Sequence, residues 1–252
     1  MNYNWQWGIF LSAEPGGTGT YLKYLFVGLG WTLATALAAW VIALAIGSVV
    51  GTLRTTPYKW AVRLGNGYVE IFRNIPLIVQ MFLWFFVFPE LLPKGLGDAI
   101  KQMPPPWSAF VPAVLCLGVF TSVRVAEQLR AGIMSLPRGQ RMAGTAMGLT
   151  QAQTYVHVIL PQAFRIILPP LTSEFMNIVK NSSIALTIGL LELTGRARAM
   201  QEMTFQVFEA FAAATTLYLI TNLIVVLGMR FVEHKVRVPG LIVAATAPQA
   251  GH

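Results

Sequence analysis

Charged and amide side chains interrupt the long apolar stretches of this sequence and are its first candidates for a functional site. Arg124, Glu127 and Arg130 follow one another at intervals of three residues. Residues three apart are neighbours on a helix surface, so we expect an ion-paired ladder along one helix face. Charges inside an apolar stretch are costly unless they are paired or face a cavity. The ladder is therefore a candidate functional site, and the alternative is mutual neutralisation near a helix end.

A second polar stripe lies further along the chain. It comprises Glu174, Asn177, Lys180 and Asn181 at three- and four-residue spacing, with Ser182 and Ser183 following. We expect these side chains on one side of a helix that begins at Pro169-Pro170. Such a stripe cannot comfortably face an apolar environment, so the pattern predicts that it lines a cavity. The alternative is hydrogen bonding across a subunit interface without contact to a solute.

Motifs for enzymatic chemistry are missing from the sequence. There is no G-x-x-x-x-G-K-[ST] phosphate loop and no H-E-x-x-H or Cys/His cluster. The histidines are far apart, and Cys116 is the only cysteine. We therefore expect no metal, no cofactor and no enzymatic activity on this chain. An intramembrane hydrolase is disfavoured by the same observations but left open.

The composition indicates a membrane protein. Of the 252 residues, 55% are hydrophobic and only 11% charged, against about a quarter charged in soluble domains. About 20 apolar residues span a bilayer, and the sequence has five such runs: Tyr24–Leu53, about 67–88, about 107–128, about 166–190 and 210–229. We predict an all-α, polytopic membrane protein with five transmembrane helices.

The positive charges predict the orientation. The net charge is +8, and the cations concentrate after the first, third and fifth runs, where the positive-inside rule places cytoplasmic loops. Nucleic-acid binding is correspondingly disfavoured. We predict a periplasmic amino-terminal segment at residues 1–23, a transmembrane domain at 24–232 and a cytoplasmic tail at 233–252. The amino terminus lacks the features of a removable signal peptide.

A cytoplasmic stretch at residues 136–164 predicts a docking element. It combines a Pro-x-Gly turn, a run rich in Ala and Met, and a Gly-Leu-Thr break at which Thr150 is expected to cap a second short helix that ends before Pro161. Small residues along these short helices suit insertion into a cleft on another protein. The alternative is an ordinary amphipathic linker.

The same stretch resembles the E-A-A-x3-G-x9-I-x-L-P loop of ABC importer permeases. Val158 stands where that motif has Ile, Met142 where it has Glu, and Gly144 where it has the second Ala. In that family the loop is the coupling helix that docks into the ATPase subunit. The resemblance therefore implies ATPase-coupling residues at Gly139, Gln140, Ala143, Gly144, Gly148, Leu160 and Pro161.

The resemblance extends over nearly the whole chain. Segments 68–80, 129–133, 135–140, 168–185 and 188–197 resemble the polar amino-acid branch of these permeases, and the opening NWQWGIF and the ending VEHKVRVPG resemble the permeases of glutamate/aspartate importers. This implies a type I importer permease in a bacterial inner membrane. Its expected partners are a homologous second permease or a second copy, an ATPase dimer carrying ATP and magnesium, a periplasmic solute-binding protein, lipid and an amino acid.

An acidic amino acid would need compensating cations in the path between the two permeases. Arg73, Arg124 and Lys180 are available, and Arg124 is favoured because guanidinium forks suit carboxylates. The expected substrate path comprises Arg73, Arg124, Glu127, Glu174, Asn177, Lys180, Asn181 and Ser182. The rival interpretations are a secondary transporter or channel acting without an ATPase, although the sequence shows no clear internal repeat, and a non-transporting scaffold.

Overall fold

The computed structural model describes residues 3–17 and 19–236. In this part of the chain helices are joined by turns and irregular segments, and the one β contact is an isolated bridge between Ala13 and Thr20. Its helices in chain order are α1 (Tyr21–Leu53), α2 (Lys59–Arg73), α3 (Leu77–Phe82), α4 (Phe88–Leu91), α5 (Lys94–Lys101), α6 (Trp107–Ser135), α7 (Arg138–Ala146), α8 (Gln151–Thr154), α9 (Leu160–Asn181), α10 (Leu193–Thr204) and α11 (Val207–Val236). Short 3-10 turns lie at Trp7–Leu11 and Ser182–Ile188, and π-helical turns at Leu83–Val87 and Tyr155–Ile159.

The all-α fold class is confirmed. Among the described residues, α1, α6 and α11 are each long and apolar enough to cross a membrane, and they contain the first, third and fifth predicted runs. The total number of spans stays a prediction, as do the domain boundaries. Of the predicted cytoplasmic tail, residues 233–236 belong to α11, and the rest lies outside the described residues.

The second predicted run is not one straight span. Helix α2 and the helical stretch Leu77–Leu91, which begins with α3, meet at a bend of 99°, because Pro76 lacks an N–H and disfavours helical backbone at the residue before it. The buried side chain of Gln80 compensates, since its amide donates to the carbonyls of Phe72 at 2.8 Å and Ile75 at 3.0 Å. The run therefore forms a broken span or a re-entrant loop.

The fourth predicted run also differs from expectation. The second helix of the cytoplasmic stretch does not end before Pro161, because it continues through the π-helical turn into α9. The π-helical turn leads directly into the first turn of α9, where Pro161 is tolerated although it has no N–H to donate. Pro169 and Pro170 lie inside α9 and do not begin it. The helix ends at Asn181, earlier than predicted, and a 3-10 turn follows.

Helices α1 and α6 pack closely at small residues. A Cβ on Gly47 would lie 2.6 Å from the Cβ of Val125, and one on Gly51 would lie 2.9 Å from the carbonyl oxygen of Ala126. Small residues allow the backbones of membrane helices to approach closely. The resulting van der Waals contact holds the helices together, because lipid provides no hydrophobic driving force between them. This pair of helices forms the frame on which α2 and α9 are held.

A buried carboxylate joins three helices. Glu192 caps α10 by accepting from the backbone N–H groups of Thr194 at 3.0 Å and Gly195 at 2.8 Å. Its Oε2 also accepts from the hydroxyls of Thr32 on α1 and Tyr218 on α11, at 3.2 and 2.8 Å. Glu192 is therefore a structural junction of α1, α10 and α11.

Candidate functional site

A cavity of about 300 Å³ is bounded by α2, α6 and α9. Four of the residues predicted for the substrate path line it: Arg73, Arg124, Glu127 and Glu174. The remaining lining residues are Phe72, Phe120, Val123 and Gln128. Two residue patterns that lie far apart in the sequence therefore contribute charges to the same space.

Arg124 holds only a long ion pair. Its Nη1 lies 3.5 Å from Oε2 of Glu174, and its side chain is 44% exposed against 12% for Glu174. Gln128 donates to the other carboxylate oxygen of Glu174 at 3.1 Å. The guanidinium also lies over the ring of Phe120, 5.1 Å from the centroid. Much of the guanidinium fork of Arg124 is thus free to bind a carboxylate.

Glu127 pairs with a residue that the sequence did not suggest. Its Oε1 lies 3.0 Å from Nη2 of Arg54, the residue at the end of α1. The predicted ladder of Arg124, Glu127 and Arg130 is therefore wrong. Tertiary packing brings the buried Arg54 side chain against α6. Glu127 therefore pairs with Arg54 and not with Arg124 or Arg130 on its own helix.

The charges around the cavity leave an excess of positive charge. Arg73 ends α2 with an exposed side chain, and no ion-pair partner for it occurs among the described residues. Arg54 offsets Glu127, and Arg124 faces Glu174. The four charged lining residues balance formally, but Arg54 offsets Glu127 from outside the lining, so that the arginines at positions 73 and 124 exceed Glu174 by one charge. The cavity is suited to a solute with one net negative charge.

The rest of the predicted stripe lies outside this cavity. Asn177 and Asn181 are half-buried and Lys180 is exposed, beyond Glu174 on α9. Ser182 is fully buried, and its hydroxyl donates to the carbonyl of Val179 at 2.8 Å. Contact of these residues with a solute stays a prediction.

The stretch that is predicted to dock on a partner folds compactly over residues 138–161, and we call it the docking loop after that prediction. Helix α7 ends in a pair of hydrogen bonds, from Leu149 N–H to Gly144 O and from Gly148 N–H to Thr145 O, that define a Schellman motif. Gly148 occupies the left-handed region at φ +79°, which glycine adopts without strain. Thr150 then caps α8 in a reciprocal pair with Gln153, which confirms the predicted cap.

Two residues assigned to ATPase coupling act inside the loop. A Cβ on the buried Gly144 would lie 2.7 Å from Cγ2 of Thr154, so the departure from Ala at this position is explained by close packing of α7 on α8. The side chain of Gln140 accepts from Gln162 at 3.2 Å. Gly144 thus packs inside the loop and Gln140 joins it to the start of α9, and the ATPase-coupling role of both stays a prediction.

Other residues form the outer surface of the docking loop. Gly139, Ala143, Gly148 and Pro161 are exposed, whereas Leu160 is half-buried. The sequence interpretation noted Met142 only as a departure from the family motif and did not single out Met147; these two residues are 70% and 79% exposed. Met side chains adapt to irregular partner surfaces, and the place where the family motif has Glu carries a large, exposed apolar side chain here.

A hydrogen bond joins the docking loop to the end of α1. The hydroxyl of Tyr155 donates to the backbone carbonyl of Thr55 at 2.7 Å. Thr55 directly follows Arg54, the partner of Glu127. Neither Arg54 nor Tyr155 stood out in the sequence, because their partners lie far away along the chain.

Sequence comparison connects this arrangement to known transport proteins. Residues 43–238 match the family described as "Binding-protein-dependent transport system inner membrane component". The glutamate/aspartate import permease protein GltJ of Escherichia coli (strain K12) is 48% identical over 241 residues, which cover 95% of this chain and 98% of GltJ. The probable glutamine ABC transporter permease protein GlnM of Bacillus subtilis (strain 168) is 36% identical over 203 residues, covering 79% and 88%.

Solved structures have the same fold. A crystal structure of an amino acid ABC transporter with histidines contains a chain that is 30% identical, with a TM-score of 0.71 over 85% of this chain and 95% of that one. An inward-facing structure of the MetNI methionine ABC transporter gives a TM-score of 0.72 at 22% identity, with coverage of 86% and 98%. The second likeness concerns the fold alone. The predicted type I importer permease architecture is thereby confirmed.

Proposed function

Because this chain belongs to the family of binding-protein-dependent transport system inner membrane components, we propose that it forms the translocation path for an acidic amino acid in an ATP-driven importer. The observation that carries the substrate class is Arg124, whose largely free guanidinium faces a cavity with one excess positive charge. The likeness to a glutamate/aspartate permease supports the same choice.

The cavity offers complementary groups for each charge of such a substrate. An acidic amino acid carries two carboxylates and one ammonium near neutral pH. Arg124 and Arg73 are the groups for the carboxylates, and Glu174 is the group for the ammonium. A neutral amide analogue would leave one guanidinium without a carboxylate. A site discriminates against a ligand that leaves its polar groups unpaired, so the amide should bind more weakly than the acid.

Transport would be driven from a partner chain. The exposed surface of the docking loop, including Ala143 and Met142, would contact an ATPase dimer that carries ATP and magnesium. A second permease, either homologous or another copy, would complete the membrane core, and a periplasmic solute-binding protein would deliver the amino acid. The distribution of positive charge supports a periplasmic amino terminus and a cytoplasmic carboxyl terminus.

The competing function is a secondary transporter or channel that needs no ATPase. To separate the two, the chain would be co-expressed with a homologous permease and an ATPase of this transporter class, purified and reconstituted in liposomes together with a solute-binding protein. We expect uptake of radiolabelled glutamate that needs hydrolysable ATP and is competed by aspartate far better than by glutamine. Uptake driven by an ion gradient without ATP would contradict the ATP-driven importer, and equal competition by glutamine would contradict the acidic substrate.

A further inference from the structure

Arg54 lies beside the cavity and binds Glu127, one of the residues that line it. Its side chain is only 8% exposed and binds Glu127 at 3.0 Å through Nη2. Its Nε donates to the side-chain oxygen of Asn66 on α2 at 2.8 Å. Arg54 is not among the residues that line the cavity. It therefore joins α1, α2 and α6 at the edge of the site without facing the space itself.

Helix α2 has a glycine, Gly65, at the point where it contacts the side chain of Arg54. A Cβ on Gly65 would lie 2.6 Å from Cγ of Arg54, so only glycine leaves the stem of the side chain in its place. The guanidinium is consequently held in one position by Gly65, Asn66 and Glu127. Such a fixed geometry is what a positioning role requires.

The position of Glu127 explains why this matters for recognition. Glu127 and Arg124 are three residues apart on α6 and both line the cavity, and side chains at that spacing are neighbours. If Glu127 were released from Arg54, it would become a second carboxylate, beside Glu174, that could pair with the guanidinium of Arg124. The Arg54–Glu127 pair prevents that competition.

We propose that Arg54 is a positioning residue for substrate recognition, which holds Glu127 and thereby keeps Arg124 available to a substrate carboxylate. On this proposal, which rests on the proposed function, Arg54 sets the preference of the cavity for an acidic amino acid over its neutral amide. Arg124 touches the substrate, and Arg54 acts through Glu127.

The test is equilibrium binding of radiolabelled glutamate and glutamine to the purified permease–ATPase complex without the solute-binding protein. For Arg54→Gln we expect the Kd for glutamate to rise about tenfold, which is about 1.4 kcal/mol, while the Kd for glutamine stays unchanged. Adding Glu127→Gln removes the competing carboxylate, so the double variant should recover most of the glutamate affinity. The matched control is Arg63→Gln, which removes an exposed charge from α2 and should change neither constant.

A second variant covers the case in which Arg54→Gln does not assemble. Gly65→Ala keeps every charge but displaces Arg54 from Glu127, so it should weaken glutamate binding selectively, and Arg54→Lys should lie between wild type and Arg54→Gln. Parallel loss of both ligands, no recovery in the double variant, or unchanged glutamate binding in an assembled Gly65→Ala complex would each overturn the proposal. A wild-type complex that binds glutamine as well as glutamate would instead overturn the proposed function.

Discussion

The hydroxyl of Tyr155 in the docking loop donates a hydrogen bond to the backbone carbonyl of Thr55 at 2.7 Å. The preceding residue, Arg54, is ion-paired with Glu127 at the cavity. The docking loop, which we expect to contact the ATPase, is thus hydrogen-bonded to Thr55, the neighbour in sequence of Arg54. Coupling between distant sites needs such a contiguous chain of contacts or a shared two-state element, and it is established only by measuring the coupling.

We predict that Tyr155→Phe weakens the link between substrate delivery and ATP hydrolysis. The change keeps the ring, over which Arg141 lies at 5.4 Å, and removes only the hydroxyl. A typical hydrogen bond contributes about 0.5–1.5 kcal/mol, so stimulation of ATP hydrolysis by the loaded binding protein should fall by about two- to tenfold. Assembly and glutamate binding should stay at wild-type levels. The control is Tyr58→Phe, an exposed tyrosine near the same helix ends; stimulation that is equal in both variants would contradict the link.

Glu192→Gln should destabilise the protein without a specific effect on substrate choice. The amide can accept fewer of the four hydrogen bonds that reach the buried carboxylate, and a buried donor left without its acceptor costs about 1–3 kcal/mol. We expect a lower Tm of the purified complex and an unchanged ratio of glutamate to glutamine uptake. Glu202→Gln, which breaks the exposed pair with Arg198, serves as the control and should leave the Tm nearly unchanged. Equal Tm values for the two variants would refute the junction role.

Gly144→Ala should impair transport by forcing α7 away from α8. The added Cβ would lie 2.7 Å from Cγ2 of Thr154, and overpacking of this kind costs about 1–3 kcal/mol. ATP-dependent uptake should fall while the chain remains inserted. Thr154→Ser removes the methyl group that is contacted, so the double variant should recover part of the activity. Gly30→Ala, at a position with open space, is the control; full activity of Gly144→Ala would mean that the close packing is unimportant.

The sequence predicted what depends on local pattern. Apolar runs indicated the long helices, and polar spacing selected Arg124, Glu127 and Glu174. The expected need for cations added Arg73, and these four residues meet at one cavity. The pairing of these charges could not be predicted, because Glu127 pairs with Arg54, which lies at the end of another helix and far away along the chain. Pro76 offered a local signal for the break in the second run, but the compensation by Gln80 depends on the folded geometry.

The central claim is that Arg124 recognises the substrate and does not merely pair with Glu174. The most direct measurement is ATP-dependent uptake of glutamate and glutamine by reconstituted complexes that carry Arg124→Met with Glu174→Gln, a change that removes both partners and avoids a buried unpaired charge. Because a hydrogen bond to a charged group contributes about 1.5–3 kcal/mol, we predict a complex that assembles normally but prefers glutamate over glutamine at least about tenfold less than wild type. A wild-type preference for glutamate in this double variant would contradict the account.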